Sequence, residues 1–211
     1  MLNHLELFSG IGGFRQAIEL LGKDFSIKNN CVGFSEIDPY ATKTYKANFN
    51  TENEVELGDI VKFTSDKNNI EALKDFSILT GGFPCQSFSM MGQQKGFEDK
   101  RGDVFYRITD ILNIKKPPFV LLENVKNLKT HDNGKTFKEI IRSLNECGYP
   151  NLYFDVFNTS NFNLAQTRNR VFIFASRVEL PFPFHFSQTA VINSFYPLNG
   201  QCSILRQKNV L

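Results

Sequence analysis

The chain has 211 residues, of which 41% are hydrophobic and 22% charged, the balance of a globular domain long enough to bury a sizeable core. No apolar run approaches the roughly 20 residues of a membrane-spanning helix. The N-terminus lacks the basic start and long apolar stretch of a secretory signal, so we expect a cytoplasmic protein. The net charge of +2 is compatible with a nucleic-acid partner without arguing for one.

Apolar runs alternate with segments of helical period, which predicts an α/β protein with a doubly wound, mostly parallel sheet and helices on both faces. In chain order, the predicted elements are a strand at Leu2–Phe8, a helix at Phe14–Leu21 closed by Gly22, a strand at Cys31–Ser35, a helix at Pro39–Asn48, a strand at Phe76–Leu79, a helix at Val104–Ile114, a strand at Phe119–Leu122, a helix at Phe137–Leu144, and a pair of strands at Leu152–Phe157 and Val171–Ala175.

The composition changes after Arg177, where Pro181 and Pro183 interrupt a run that cannot form a regular helix. We therefore predict one domain over residues 1–178. Residues 179–211 are expected to form an irregular tail that is too short to be a second domain.

Cysteine usage argues against both a disulfide framework and a zinc site. The four cysteines are scattered, no Cys-x-x-Cys pair occurs, and there are only three histidines. We expect no bound metal. A lone cysteine in a reducing compartment is usually a small buried hydrophobe, so a reactive role has to come from its neighbours.

A glycine-rich turn, Phe8-Ser9-Gly10-Ile11-Gly12-Gly13, follows the first strand and opens the first helix. Glycines there allow a tight turn and let a ligand approach the backbone at a helix N-terminus. Glu36 ends the second strand, where a carboxylate can accept both ribose hydroxyls of an adenosine-type ligand, and Asp59 could accept from an adenine amino group. Together these features predict a nucleoside cofactor, although a tight connection would also explain the glycines.

Cys85 lies in Gly81-Gly82-Phe83-Pro84-Cys85-Gln86, after the strand at Phe76–Leu79. Open α/β sheets bind ligands at this edge, where backbone amides or cations can favour a nucleophilic thiolate. Glu123 ends the strand at Phe119–Leu122, and Arg168 and Arg170 precede the last strand. A structural turn, a helix cap and a solvated edge are the simpler explanations for these three features taken separately.

With these elements in this order, the chain strongly resembles the DNA (cytosine-5)-methyltransferase family over roughly residues 2–177. The runs that carry the resemblance are Phe8-Ser9-Gly10-Ile11-Gly12-Gly13, Gly81-Gly82-Phe83-Pro84-Cys85-Gln86-Ser87-Phe88-Ser89, Glu123-Asn124-Val125 and Gln166-Thr167-Arg168-Asn169-Arg170. The resemblance implies the Rossmann-like fold of S-adenosylmethionine-dependent methyltransferases, with an antiparallel last strand.

The resemblance also implies the chemistry. Cys85 would add to C6 of a cytosine flipped out of double-stranded DNA, Glu123 would bind N3 and the exocyclic amine, and Arg170, supported by Arg168, would bind O2. The activated C5 would take the methyl group of S-adenosylmethionine, leaving S-adenosylhomocysteine. The implied cofactor contacts are Phe8, Gly10, Gly12, Glu36, Asp59, Ile60, Pro84 and Val104. The implied DNA contacts are Gln86, Ser89 and Arg101.

The chain departs from the family pattern in two places. Before Gln166 it has Asn163-Leu164-Ala165 where the family commonly has Gly-x-Pro, so we expect this loop to be re-packed. After Arg177 nothing matches the family's target-recognition domain or its final motifs, and sequence-specific reading of the major groove then has no evident source.

Three explanations of the missing part remain open: one subunit of a split methyltransferase whose second subunit carries the rest, a truncated product, or a non-catalytic relative that binds only cofactor or DNA. An NAD(P) oxidoreductase is a more distant alternative, because the third glycine of the dinucleotide fingerprint is missing. A restriction-modification role would rest on analogy alone.

Overall fold

The computed structural model describes residues 1–84 and 104–187. The strands among these residues are β1 (Leu2–Leu7), β2 (Asn29–Ser35), β3 (Val55–Glu56), β4 (Ile78–Gly81), β5 (Phe119–Val125), β6 (Asn151–Asn158) and β7 (Asn169–Ser176). The helices are α1 (Gly13–Asp24), α2 (Pro39–Asn48), α3 (Ile60–Thr64), α4 (Lys67–Ala72), α5 (Val104–Lys115) and α6 (Lys135–Glu146), with short 3-10 helices at Lys126–Lys129, His131–Gly134 and Thr159–Phe162.

The strands form one mixed sheet in the order β3-β2-β1-β4-β5-β7-β6. The strands β1 to β5 pair in parallel, and β7 is antiparallel to both of its neighbours. The predicted sheet, mostly parallel with an antiparallel last strand, is therefore confirmed. The connection between β6 and β7 carries no α-helix, and a connection without a crossover helix favours antiparallel pairing.

Helices cover both faces of the sheet, and strand alternation decides which residues meet them. Leu5 and Leu7 of β1 join the main core with residues of α3 to α6. The neighbouring Glu6 faces the other side, where it contacts α1 and α2. A smaller cluster of Phe34, Tyr45 and Phe49 packs there. Because β1 to β5 run in parallel, their carboxyl ends lie at one edge of the sheet, and the candidate site lies at this edge.

Several boundaries differ from the prediction. Helix α1 runs past Gly22 to Asp24, because Gly22 serves packing rather than helix termination: a Cβ there would lie 2.1 Å from Nδ2 of Asn29. The short helices α3 and α4 were missed, although Asp59 and Asp66 cap them. Strand β5 continues beyond Leu122 to Val125 and β7 starts at Asn169, so Arg170 lies inside the last strand.

The described start of the tail, residues 179–187, packs on the sheet. The ring of Phe184 stacks on Phe174 of β7 with 4.5 Å between centroids, and Phe186 meets Phe157 of β6 edge-on at 5.4 Å. These rings cover apolar side chains of the antiparallel strands. The domain boundary near residue 178 stays a prediction.

Candidate active site

The glycine-rich turn joins β1 to α1 at the carboxyl edge of the sheet. Phe8 and Gly10 have φ values of 54° and 55°, and Gly12 has a φ of 95°. A Cβ on Gly12 would lie 2.2 Å from Cε2 of Phe49, so only glycine fits there, whereas Gly10 faces open space. The turn is therefore packed on one side and accessible on the other, where a ligand can approach the start of α1.

Glu36 follows β2, and its carboxylate binds the backbone of two loops. Oε2 accepts from the amide of Gly10 at 2.7 Å, and Oε1 accepts from the amides of Ile37 and Asp38 at 2.8 and 2.9 Å. A carboxylate offers about four lone-pair sites. One site is consequently left for a ribose hydroxyl, and binding both hydroxyls requires Glu36 to exchange one of its amide partners.

Asp59 follows β3 at the same edge. Its Oδ1 accepts from the amide of Val61 and caps α3, and the preceding Gly58 faces open space with a φ of 59°. Ile60 is only 4% exposed and belongs to the main core. Two carboxylates at adjacent strand ends, with open space at Gly10 and Gly58, fit the polar groups of a nucleoside cofactor, although the individual contacts stay predictions.

A buried polar network lies behind the glycine-rich turn. Glu6 accepts from the amide of Arg15 in α1 at 3.4 Å and from the hydroxyl of Tyr45 in α2 at 3.2 Å. Burial raises the pKa of Glu6 to about 7 despite these bonds. The guanidinium of Arg15 binds Glu19 at 2.7 Å and Glu54 at 2.5 Å. The network joins β1, α1, α2 and the loop before β3.

The opposite half of the edge carries the predicted catalytic carboxylate. Oε1 of Glu123, near the end of β5, lies 2.6 Å from Nε of Arg170 on β7, and both side chains are about a quarter exposed or less. Burial raises the pKa of Glu123, although Arg170 and then Arg168 oppose the shift. The structure therefore brings together three of the four residues predicted to be catalytic.

A largely apolar cavity of about 570 Å³ adjoins the ion pair. Its lining residues are Leu121, Glu123, Phe157, Thr159, Phe162, Leu164, Arg168, Arg170, Phe172, Phe186 and Ser187. Glu123, Arg168 and Arg170 supply all the charged groups of this lining. The cavity thus combines a carboxyl group and two guanidiniums with aromatic walls.

Cys85, the predicted nucleophile, lies outside the described residues, as do the predicted DNA contacts Gln86, Ser89 and Arg101. The chain is described up to Pro84, which is exposed and follows the buried Phe83. Val104, predicted to contact the cofactor, is the first residue of α5 and packs against the main core.

The departure at Asn163 has a structural explanation. This residue adopts a left-handed conformation, with a φ of 60°, at the end of the 3-10 helix Thr159–Phe162. Asparagine tolerates that conformation better than other residues with a side chain. It can therefore stand where the family commonly has glycine.

Asn124 and Glu6 are among the buried polar residues that were not assigned a role from the sequence. On β5, the buried Asn124 lies on the same face of the strand as the core residues Val120 and Leu122. On β1, Glu6 is buried on the face opposite to that of Leu5 and Leu7. A polar residue in such a strand has to find a hydrogen bond in the interior. That alternation was the signal that could have identified both residues.

Solved structures and sequence relatives define the class of this protein. The Dnmt2 methyltransferase of S. pombe superposes with a TM-score of 0.68 and 27% identity, over 86% of this chain and 53% of that one. The type II methyltransferase M.HgiCI of Herpetosiphon aurantiacus is 39% identical over 100% of this chain and 48% of its own length. M.HhaI of Haemophilus parahaemolyticus is 38% identical over 92% and 55%. The fold is that of S-adenosylmethionine-dependent methyltransferases.

The sequence pattern of the C-5 cytosine-specific DNA methylases matches residues 2–201. The chain belongs to this family. It spans about half the length of the curated relatives that it matches.

The described residues provide two further observations. None of their helices is both long and apolar enough to cross a membrane. Within residues 1–84 and 104–187, no group of three or more His, Cys, Asp or Glu side chains is arranged to hold a metal ion.

Proposed function

We propose that this chain is the cofactor-binding and catalytic part of an enzyme that methylates C5 of cytosine in DNA. The observation that carries the proposal is the ion pair of Glu123 and Arg170, which lies at the edge where the chain leaves β4 for Cys85. Family membership supports this assignment, since the pair consists of two residues that the family resemblance assigns to the target base.

The reaction has to make cytosine electron-rich before C5 can accept a methyl group. The thiolate of Cys85 adds to C6 of the flipped base, and Glu123 binds N3 and the exocyclic amine. The raised pKa of Glu123 supports this role, because it favours a carboxyl group that donates a proton to N3 as negative charge develops. Arg170, with Arg168 beside it, donates to O2. Once C5 has taken the methyl group, its proton passes to water, the C5–C6 double bond re-forms and Cys85 leaves as the thiolate.

S-adenosylmethionine supplies the electrophilic methyl group when it is bound. The glycine-rich turn would face this cofactor, Glu36 would accept from its ribose and Asp59 from its adenine amino group. The accessible side of Gly10 and the open space at Gly58 support this placement. Ile60, Pro84 and Val104 would add apolar contacts. Gln86, Ser89 and Arg101 would contact DNA.

The residues that the chain matches in its curated relatives make up about half of their length. We propose that a second subunit carries the target-recognition region and the final motifs. The relatives named type II methyltransferases suggest a restriction-modification system as the setting.

Covalent trapping on DNA that contains 5-fluorocytosine tests the proposal. With cofactor and the product of the neighbouring gene, the wild-type chain should form an adduct, and Cys85→Ala should form none. Calorimetry with S-adenosylhomocysteine, with and without that product, measures cofactor binding separately. Trapping that Cys85→Ala leaves unchanged would refute the nucleophile assignment. Cofactor binding without any adduct would instead support a non-catalytic relative.

A further inference from the structure

Asn124 makes a buried hydrogen bond to the segment that leads to Cys85. The residue is 3% exposed, and its Nδ2 donates to the carbonyl of Phe83 at 2.8 Å, across 41 positions of sequence. Its Oδ1 accepts from the amide of Val125 at 2.8 Å. Both polar atoms of the side chain are therefore satisfied, and the orientation of the amide group is determined.

Phe83 is held at its side chain as well as at its carbonyl. Its ring is 3% exposed and lies 5.5 Å from the ring of Phe105 in α5. The next residue, Pro84, has a φ fixed near −65° by its own ring, and it restricts the backbone of Phe83. Once the carbonyl of Phe83 is fixed, ψ of Pro84 is the one further backbone torsion between that carbonyl and the nitrogen of residue 85.

The same strand holds the carboxylate that would bind the base. Glu123 and Asn124 are adjacent on β5, so their side chains point to opposite faces of the sheet. Gly82 lies close to Glu123, because a Cβ on Gly82 would be 3.3 Å from Oε2 of that carboxylate. The dipeptide Glu123-Asn124 thus lies beside the Gly82–Phe83 segment, with the Glu123 carboxylate near Gly82 and the Asn124 amide bonded to Phe83.

We propose that Asn124 is a positioning residue: by fixing the Phe83–Pro84 peptide it sets the approach of Cys85 to a base bound at Glu123. The inference rests on the proposed function. It assigns Asn124 no contact with base or cofactor, and it predicts a much larger loss in the rate of adduct formation than in cofactor affinity, because Pro84 is only one of the proposed cofactor contacts. A misplacement of about 1 Å costs on the order of 100-fold in rate.

A carbon-13 NMR experiment tests the hydrogen bond without requiring activity. The chain contains two Phe-Pro bonds, at residues 83–84 and 182–183, so labelling the phenylalanine carbonyl carbons and the proline nitrogens isolates two signals. Loss of a hydrogen bond moves a carbonyl-carbon signal upfield. Asn124→Ala and the isosteric Asn124→Asp should shift the signal of residues 83–84 and leave that of residues 182–183 in place.

A kinetic experiment tests the positioning role. The single-turnover rate of adduct formation on 5-fluorocytosine DNA should fall about 100-fold in Asn124→Ala and Asn124→Asp. Affinity for S-adenosylhomocysteine should change far less than this rate, because the other proposed cofactor contacts are not bonded to Asn124. Asn151→Ala is a matched control, because Asn151 also donates from Nδ2 to a backbone carbonyl, that of Val178 at 3.1 Å, at the opposite edge of the sheet.

The outcomes separate this inference from the proposed function. If the wild-type chain forms no adduct with 5-fluorocytosine DNA in the presence of the product of the neighbouring gene, the proposed function is refuted. The carbonyl-carbon signal of Phe83 still decides whether Asn124 fixes the Phe83–Pro84 peptide. An unchanged signal in both Asn124 variants refutes the inference. So does a normal adduct rate, or an equal loss of adduct rate and cofactor affinity, which would indicate a general structural defect.

Discussion

The two halves of the sheet edge hold their carboxylates in different ways. On the β1–β2 side, Glu6 and Glu36 accept from backbone amides, and Glu6 also accepts from a buried hydroxyl. On the β5–β7 side, Glu123 faces a cavity and pairs with the guanidinium of Arg170. The first arrangement fixes the shape of a loop, whereas the second leaves a charged pair that can exchange partners with a base.

Because of this difference, we expect substitutions on the two sides of the sheet edge to change different properties of the protein. Changes behind the glycine-rich turn should alter the stability of the protein and its affinity for cofactor. Changes at the cavity should alter the chemical step and leave stability nearly intact.

Glu123→Gln should lower the rate of adduct formation and of methyl transfer by roughly 10²- to 10⁴-fold, because the amide cannot transfer a proton to N3. Affinity for S-adenosylhomocysteine should not change. Glu146→Gln provides a control, since Glu146 forms an exposed ion pair with Arg142 at the end of α6, which leads to the opposite edge of the sheet. If Glu123→Gln also lost affinity for the cofactor, the β5–β7 side of the sheet edge would contribute to cofactor binding as well as to the chemical step, contrary to this prediction.

Arg15→Met should destabilise the fold by about 3–5 kcal/mol, because it leaves the carboxylate of Glu54, 4% exposed, buried without its partner. Urea unfolding measures the change. Adding Glu54→Gln to the same chain should restore much of the lost stability. A single variant as stable as the wild type would contradict the network described behind the turn.

Glu6 should make the protein less stable as pH rises. Its pKa is raised from 4.5 to about 7, so the folded state keeps the proton that the unfolded state releases above pH 4.5. The resulting penalty grows between pH 4.5 and 7 and reaches about 3 kcal/mol at 1.36 kcal/mol per pKa unit. The stability of Glu6→Gln relative to the wild type should therefore increase across this range and then level off.

Urea unfolding at pH 5, 6, 7 and 8 measures that difference. Burial lowers the pKa of His4 to about 4, which reduces stability as pH falls from 6.5 towards 4. His4 is present in both proteins, so its effect cancels in the comparison. A difference that does not vary with pH would show that Glu6 ionises normally in the folded state.

Asn163→Ala should cost roughly 1 kcal/mol of stability, because alanine is strained at a φ of 60°. In Asn163→Gly, relief of that strain is offset by the greater freedom of glycine in the unfolded chain, so the change should be close to zero. Unfolding of both variants in urea tests this contrast. Equal stability of the alanine and glycine variants would remove the conformational explanation of this loop.

Much of the fold could be predicted from local patterns. The apolar runs and helical periods identified six of the seven described strands, and the helices around Phe14, Pro39, Val104 and Phe137. The two-residue β3 and the short α3 and α4 are too brief to produce a period. Gly22 was misinterpreted as a helix terminator because its role depends on Asn29, which the sequence does not place beside it.

The site shows the same division between pattern and contact. Local patterns predicted the residue types and the strand ends that carry them: the glycine-rich turn, Glu36, Asp59, Glu123 and the two arginines. Which groups meet became evident from the folded chain, namely the ion pair between β5 and β7 and the bond from Asn124 to Phe83, and so did the raised pKa of Glu123. These contacts depend on the register of strands far apart in sequence and on burial, neither of which a local pattern contains.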